Sequence, residues 1–146
     1  MMNLTTEHTA ERQEKWEPID GIVTPAASAL IAEDHEGLTV TLMFSEIVDG
    51  PDLDLRLKFD GVLGYSVYKE FVHPWEILES VPQLEGRWER FRYPLLQIKH
   101  STWMASLPNF LLLHPDSLHY RLLTLDTIVD VLCGKPPEVS WVPPKL

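Results

Sequence analysis

Residues suited to chemistry are few in this chain and widely spaced. It holds 6 histidines and 1 cysteine. The nearest thing to a metal-ligand set is His114, Asp116 and His119. Zinc needs its ligands to converge on one point, and this H-x-D-x-x-H spacing converges only if the loop curls. It is not the i, i+4 helical pair of a zinc protease, and no cysteine joins it. His73 and His114 each precede a proline, and His119 opens a stretch of strand character. Structural or surface roles fit all three better, so no metal is expected. Asp49, Asp52 and Asp54 cluster at a turn. They lack the distal glutamate of a calcium loop, and aspartates favour turns without any ion. Cys133 reads as the last turn of a helix, where the negative end of the dipole opposes thiolate formation. Asp126 and Asp130, four apart, read as the solvent face of that helix. No nucleophile-elbow, P-loop or dinucleotide-binding glycine pattern occurs. No cofactor is implied, and the balance leans away from an enzyme.

Two groups of residues suit binding better than catalysis. Gly86 to Tyr93 interleaves Arg87, Arg90 and Arg92 with Trp88, Phe91 and Tyr93. Arginine and aromatic residues are enriched at protein interfaces, and such mixtures also stack bases. Glu85 and Glu89 beside them, together with a net charge of −10, disfavour nucleic acid. The second group is acidic. Residues 1–60 hold 13 acids and 4 bases, whereas residues 61–146 hold 9 and 8. Within the acidic half, Glu33, Asp34, Glu36 and Asp60 fall at turns expected to share one end of a sheet. Such an end would steer a basic protein partner.

The elements that must position these groups are mainly strands. Ala27 to Glu33 and Leu38 to Ile47 flank the turn Asp34-His35-Glu36-Gly37. Leu53, Leu55, Leu57 and Phe59 alternate with Asp54, Arg56 and Lys58, which marks a strand with one buried face. Asp60-Gly61 suits a tight hairpin returning along Val62 to Phe71. Four strands joined by short turns predict an antiparallel meander, with one face wet or packed on a second sheet. Beyond it, His73-Pro74 breaks the strand and Trp75 to Ser80 suits a short helical turn. Tyr93 to His100 reads as a strand, Ser101 as the N-cap of a helix over Thr102 to Leu107, and His119 to Leu123 as another strand. Leu125, Ile128, Val129 and Leu132 form a stripe at helical spacing after Thr124, with Gly134 as a stop. That predicts a C-terminal helix packed on the sheet, followed by a short strand, Glu138 to Val142.

A chain of 146 residues fits one domain of ordinary size. The expected organisation is a flexible arm over residues 1–15 and a single α+β domain over 16–146. The predicted fold is a mainly antiparallel, twisted sheet with the C-terminal helix against it. A lone cysteine makes no internal bridge. No apolar run approaches the roughly 20 residues of a membrane span, and Met1 to Lys15 lacks the apolar core of a signal peptide. Cytoplasm is the expected compartment, with no membrane partner. An exposed edge strand would allow a homo-oligomer.

Pro94 to Trp103 and His119 to Leu132, with Pro136-Pro137 beyond, resemble segments of small bacterial proteins, some of them accessory or immunity-type partners of toxins. The resemblance covers about a third of the chain, through an aromatic anchor, a helix cap and a helix stop. It fits the expected fold, while the acidic N-terminal half, the Arg/aromatic stretch and the absence of catalytic motifs point to a non-catalytic protein-binding module of immunity or accessory type. The alternative is a small-ligand-binding or hydrolytic protein with a pocket near residues 114–119.

Overall fold

The computed structural model describes residues 10–69, 72 and 81–144. Among the described residues, nine antiparallel strands make two sheets. The strands are β1 (Arg12–Lys15), β2 (Ala29–Asp34), β3 (Gly37–Leu42), β4 (Asp54–Phe59), β5 (Val62–Lys69), β6 (Leu95–Lys99), β7 (Leu118–Leu123), β8 (Thr127–Cys133) and β9 (Glu138–Val142). A five-stranded sheet runs β1-β6-β7-β8-β5 and a four-stranded sheet runs β2-β3-β4-β9. Two short helices, α1 (Thr102–Ser106) and α2 (Phe110–Leu113), lie between β6 and β7. No helix among the described residues is long and apolar enough to cross a membrane.

The core lies between the sheets. In β3 and β4, Leu38, Val40, Leu42, Leu55, Leu57 and Phe59 point inward and are buried. They meet Leu95, Tyr120, Leu122, Val129 and Val131 of the five-stranded sheet in one apolar cluster. Alternation in β3 and β4 therefore means what the sequence suggests: one face in the core, the other outward. A second cluster of Val81, Leu96, Ile98, Leu123 and Ile128 covers part of the other face of the five-stranded sheet.

Three expectations change. The expected C-terminal helix over 124–133 is strand β8. Its residues pair with β7 from Leu118↔Cys133 to Leu123↔Ile128, and with β5 on the other side. As a central strand, buried on both faces from Ile128 to Cys133, it loses the polar alternation of a half-exposed strand. A continuous apolar run also satisfies a helical stripe, which is why the two could not be told apart by period. The β-branched run Thr127-Ile128-Val129 and Val131 favours the strand. Thr124 caps nothing helical: its hydroxyl accepts from the amides of Asp126 and Thr127 at 3.3 and 2.9 Å, forming the turn into β8.

The meander is also interrupted. β2, β3 and β4 are adjacent as expected, but β5 does not pair with β4. Asp60-Gly61 instead carries the chain from one sheet to the other, with Gly61 at φ 86°. Beside it, Gly134 to Pro137 carries β8 back to β9. The two crossovers are tied by Gly134 N–H to Gly61 O at 3.0 Å and by a Lys135–Asp60 bridge at 3.0 Å. Finally, Arg12–Lys15, assigned above to the flexible arm, pairs with β6 as an edge strand. The break at His73-Pro74, the turn over Trp75 to Ser80 and residues 1–9 lie outside the described residues.

Ser101 caps α1 as expected, its Oγ accepting from Met104 N–H at 3.1 Å. Thr102–Ser106 is helical, and the single turn α2 follows it over Phe110–Leu113.

Candidate functional site

The outward side chains of the four-stranded sheet form a broad open depression of about 1060 Å³. Its floor holds Thr39, Thr41, Arg56 and Lys58, and Asp34, Glu36, Asp60 and Glu138 also line it. Register explains this grouping. Asp34 pairs with Gly37 and Leu38 with Phe59, so the β2–β3 turn and the residue after Phe59 share one end of the sheet. Gly37 has no substitute there: a Cβ would lie 2.2 Å from Phe59 O, at φ +135°. Asp34 accepts from Glu36 N–H at 2.8 Å, which shapes the turn.

Glu33 behaves differently from the other three acids. Alternation points it away from the depression. Its carboxylate accepts from the Tyr65 hydroxyl at 3.0 Å, joining β2 to β5 of the other sheet. That bond and the negative charge of Glu33 raise the Tyr65 pKa.

The arginine-rich stretch stands apart from this end. Gly86–Trp88 is a single 3-10 turn. Trp88 packs against the core, and its ring contacts Phe91 at 5.6 Å. Arg87 lies over Trp88 at 5.1 Å and reaches Asp49 at 3.7 Å. Asp49 belongs to the turn after β3, at the opposite end from Asp34. Arg90 is exposed and Arg92 partly buried. The eight nominated residues thus separate into Asp34, Glu36 and Asp60 at one end, Glu33 turned toward the other sheet, and the arginine turn with its tryptophan.

A third constellation was not nominated. On the outer face of the five-stranded sheet, Ser101 Oγ lies 2.7 Å from His119 Nδ1, and His119 Nε2 lies 2.6 Å from Asp130 Oδ1. Arg121 Nε donates to the same Asp130 oxygen at 2.9 Å, and Arg121 Nη1 donates to Gln13 Oε1 at 2.9 Å. Glu11 Oε2 stands 3.9 Å from Arg121 Nη1, and Glu11 Oε1 accepts from Thr102 N–H at 2.8 Å. All of Ser101, His119, Arg121 and Asp130 are buried. Period two on β7 places His119 and Arg121 on one face, and Arg121 is the direct cross-strand partner of Asp130.

Hydrogen-bond logic sets the histidine tautomer. An ionised carboxylate only accepts, so Nε2 carries the hydrogen toward Asp130. In the neutral imidazole Nδ1 is then the acceptor, and the Ser101 hydroxyl donates to it. Trp103 packs edge-on to the imidazole at 5.7 Å. Beside Ser101 and His119 lies a pocket of about 380 Å³, walled by His100, Met104, Leu111 and Leu118. His100 holds φ 57° at the junction of β6 and Ser101.

His114 and Asp116 are exposed, while His119 turns inward to Ser101, so the three do not converge. Among the described residues, no three His, Cys, Asp or Glu gather as metal ligands. Cys133 faces the core, where burial pushes its thiol up to about 11.

The polar network was legible in one respect. A strand that is apolar throughout except for Asp130, beside a strand with His119 and Arg121 two apart, places three ionisable groups in a buried layer. Buried charges require partners. Reading 124–133 as a helix put Asp130 in solvent and concealed this.

Comparison with protein families, curated proteins and solved structures finds no match for this chain.

Proposed function

We propose that this chain is a protein-binding module of the accessory or immunity kind, whose partner is basic where it meets the acidic end of the four-stranded sheet. The supporting observation is that Asp34, Glu36, Asp60 and Glu138 line one open depression. Asp60 among them bonds Lys135 at 3.0 Å. Carboxylates so exposed attract a basic surface and speed its encounter. Arg56 and Lys58 on the floor make the face mixed rather than uniformly acidic, so a fitting partner carries acidic or neutral groups at its centre. This binding needs no chemistry from the face itself.

The test is a capture experiment from the source cells, comparing the native chain with Asp34→Lys/Glu36→Lys. The native chain should retain a basic protein that the variant loses, and the retention should weaken as salt rises. Recovery of no partner, or equal recovery by both, refutes the reading.

A second reading, small-ligand binding beside residues 114–119, is supported by the pocket at Ser101 and His119. Its apolar wall suits a short aliphatic group. Titration with butyrate should shift the resonances of Leu111 and Leu118, and unchanged resonances would remove it.

A further inference from the structure

We propose that Ser101 is a nucleophile, activated by His119, that hydrolyses small esters with a short aliphatic acyl group. The inference rests on the second reading, that the pocket receives a small ligand.

Three observations carry it. First, the hydrogen-bond chain has the spacing that base catalysis needs: Ser101 Oγ lies 2.7 Å from His119 Nδ1 while Nε2 is held by Asp130 at 2.6 Å, so in the neutral imidazole the Ser101 hydroxyl donates to Nδ1. The nitrogens are used in the reverse sense from the common serine-protease arrangement, but general-base action requires only a free lone pair toward the hydroxyl and a held proton on the other side. Second, Ser101 and His119 both line a pocket whose other walls include Met104, Leu111 and Leu118. A bound acyl chain would lie against those apolar groups, with its carbonyl carbon beside Oγ. Lys99 and His100 line the same pocket and offer donors to the oxygen that becomes negative. Third, the base is rigidly placed. Arg121 and Asp130 are buried and bonded to each other, so the imidazole has little freedom to turn. Asp130 and Arg121 are positioning residues, and Ser101 and His119 are the catalytic ones.

In the reaction, Oγ bonds to the carbonyl carbon and its proton passes to His119 Nδ1. The tetrahedral species collapses, the bond to the alcohol oxygen breaks, and His119 returns the proton to that alcohol. Water then attacks the acyl-serine with its proton moving to His119, and the acid leaves as Ser101 regains its hydrogen. One ester and one water give one acid and one alcohol.

The experiment treats the full chain with a fluorophosphonate probe and follows intact mass and peptide mapping. Oγ would bond to phosphorus, fluoride would leave, and the proton would pass to His119. The same protein is assayed with p-nitrophenyl butyrate. The expected result is one adduct, located at Ser101, and ester hydrolysis that His119→Gln reduces by about 10²-fold or more. Ser101→Ala also removes a helix cap, so Ser101→Asn serves beside it: asparagine keeps an oxygen for the Met104 amide but cannot be acylated as an alcohol. Both variants should lose the adduct, with Ser101→Asn melting close to the native chain. Asp130→Asn should slow labelling and alter its pH profile, which a merely structural aspartate in a still-folded variant would not. Absence of any adduct in the native chain, or an adduct that persists in Ser101→Asn, overturns the proposal. Butyrate binding without an adduct would overturn it while leaving the pocket reading intact.

Discussion

Replacing Arg121 by methionine tests whether the buried polar layer holds this fold together. The guanidinium bonds Asp130 and Gln13 at 2.9 Å each and stands 3.9 Å from Glu11. Side-chain exposure is 0% for Arg121, 0% for Asp130 and 3% for Glu11. Methionine fills much of the volume but leaves two carboxylates facing a low-dielectric interior without the cation. Removing one partner from a buried ion pair costs about 3–5 kcal/mol, against a total stability of roughly 5–15 kcal/mol for a domain. With a urea slope of about 2 kcal/mol/M, the midpoint should fall by about 2 M, and the melting temperature by on the order of 10 °C. The comparison is Lys135→Met, which breaks the Lys135–Asp60 bridge of 3.0 Å. That pair is 61% and 73% exposed, and such a surface pair is worth about 0–1 kcal/mol. Arg121→Met/Asp130→Leu should recover about 1 kcal/mol or more of the loss, because removing both charges also removes the cost of stranding one of them. Chemical denaturation followed by circular dichroism measures these three and Asp130→Leu alone. A loss in Arg121→Met no larger than in Lys135→Met, or a double variant as unstable as the two single losses added, would refute the reasoning.

Two further outcomes follow from the strand assignment and from burial. Val131→Ala should cost about 2–3 kcal/mol, because Val131 is fully buried between the sheets and its lost methyl groups leave a cavity; on the helical reading Val131 faces solvent and alanine would be neutral or mildly stabilising. At alkaline pH, burial raises Cys133 from 9.0 to about 11, and burial, helped by Glu17 and Cys133 respectively, raises Tyr93 and Tyr120 from 10.0 to about 12. The unfolded chain therefore loses these protons first, so stability is fully present below about pH 9 and falls as pH rises toward 11–12. Urea midpoints across that range should decline, and Cys133 should resist a thiol reagent at neutral pH until the protein unfolds; a flat profile or immediate reaction would contradict the burial argument.

The half-exposed strands were the legible part of the fold. In β3 and β4 every second residue is apolar because one face meets the core and the other meets water. That local pattern also fixed which end of the sheet Asp34, Glu36 and Asp60 would share, since successive turns alternate ends. Ser101 as a helix cap was legible for the same reason: its partner, Met104, is three residues away. Asp60-Gly61 was legible as a turn but not as a crossover. The dipeptide sets the backbone conformation of two residues and carries no information on which strand β5 will pair with.

Everything that depends on burial of both faces escaped the one-dimensional reading. From Ile128 to Cys133 β8 is apolar but for Asp130, because sheet neighbours lie on either side and packed layers lie above and below it, and so nearly uniform a run has no period to decide between helix and strand. Only the pairing with β7 and β5 settles it. The same packing turns Asp130 from a solvent-facing helical residue into the centre of a buried layer with His119 and Arg121, and it brings Ser101 to the imidazole from 18 positions away. Sequence alone determined an antiparallel, acidic, sheet-rich chain with carboxylates at one end, because those features follow from neighbours along the chain. The two-sheet arrangement and the Ser101–His119–Asp130–Arg121 network were decided by tertiary structure, because each depends on which distant strands exclude water from one another.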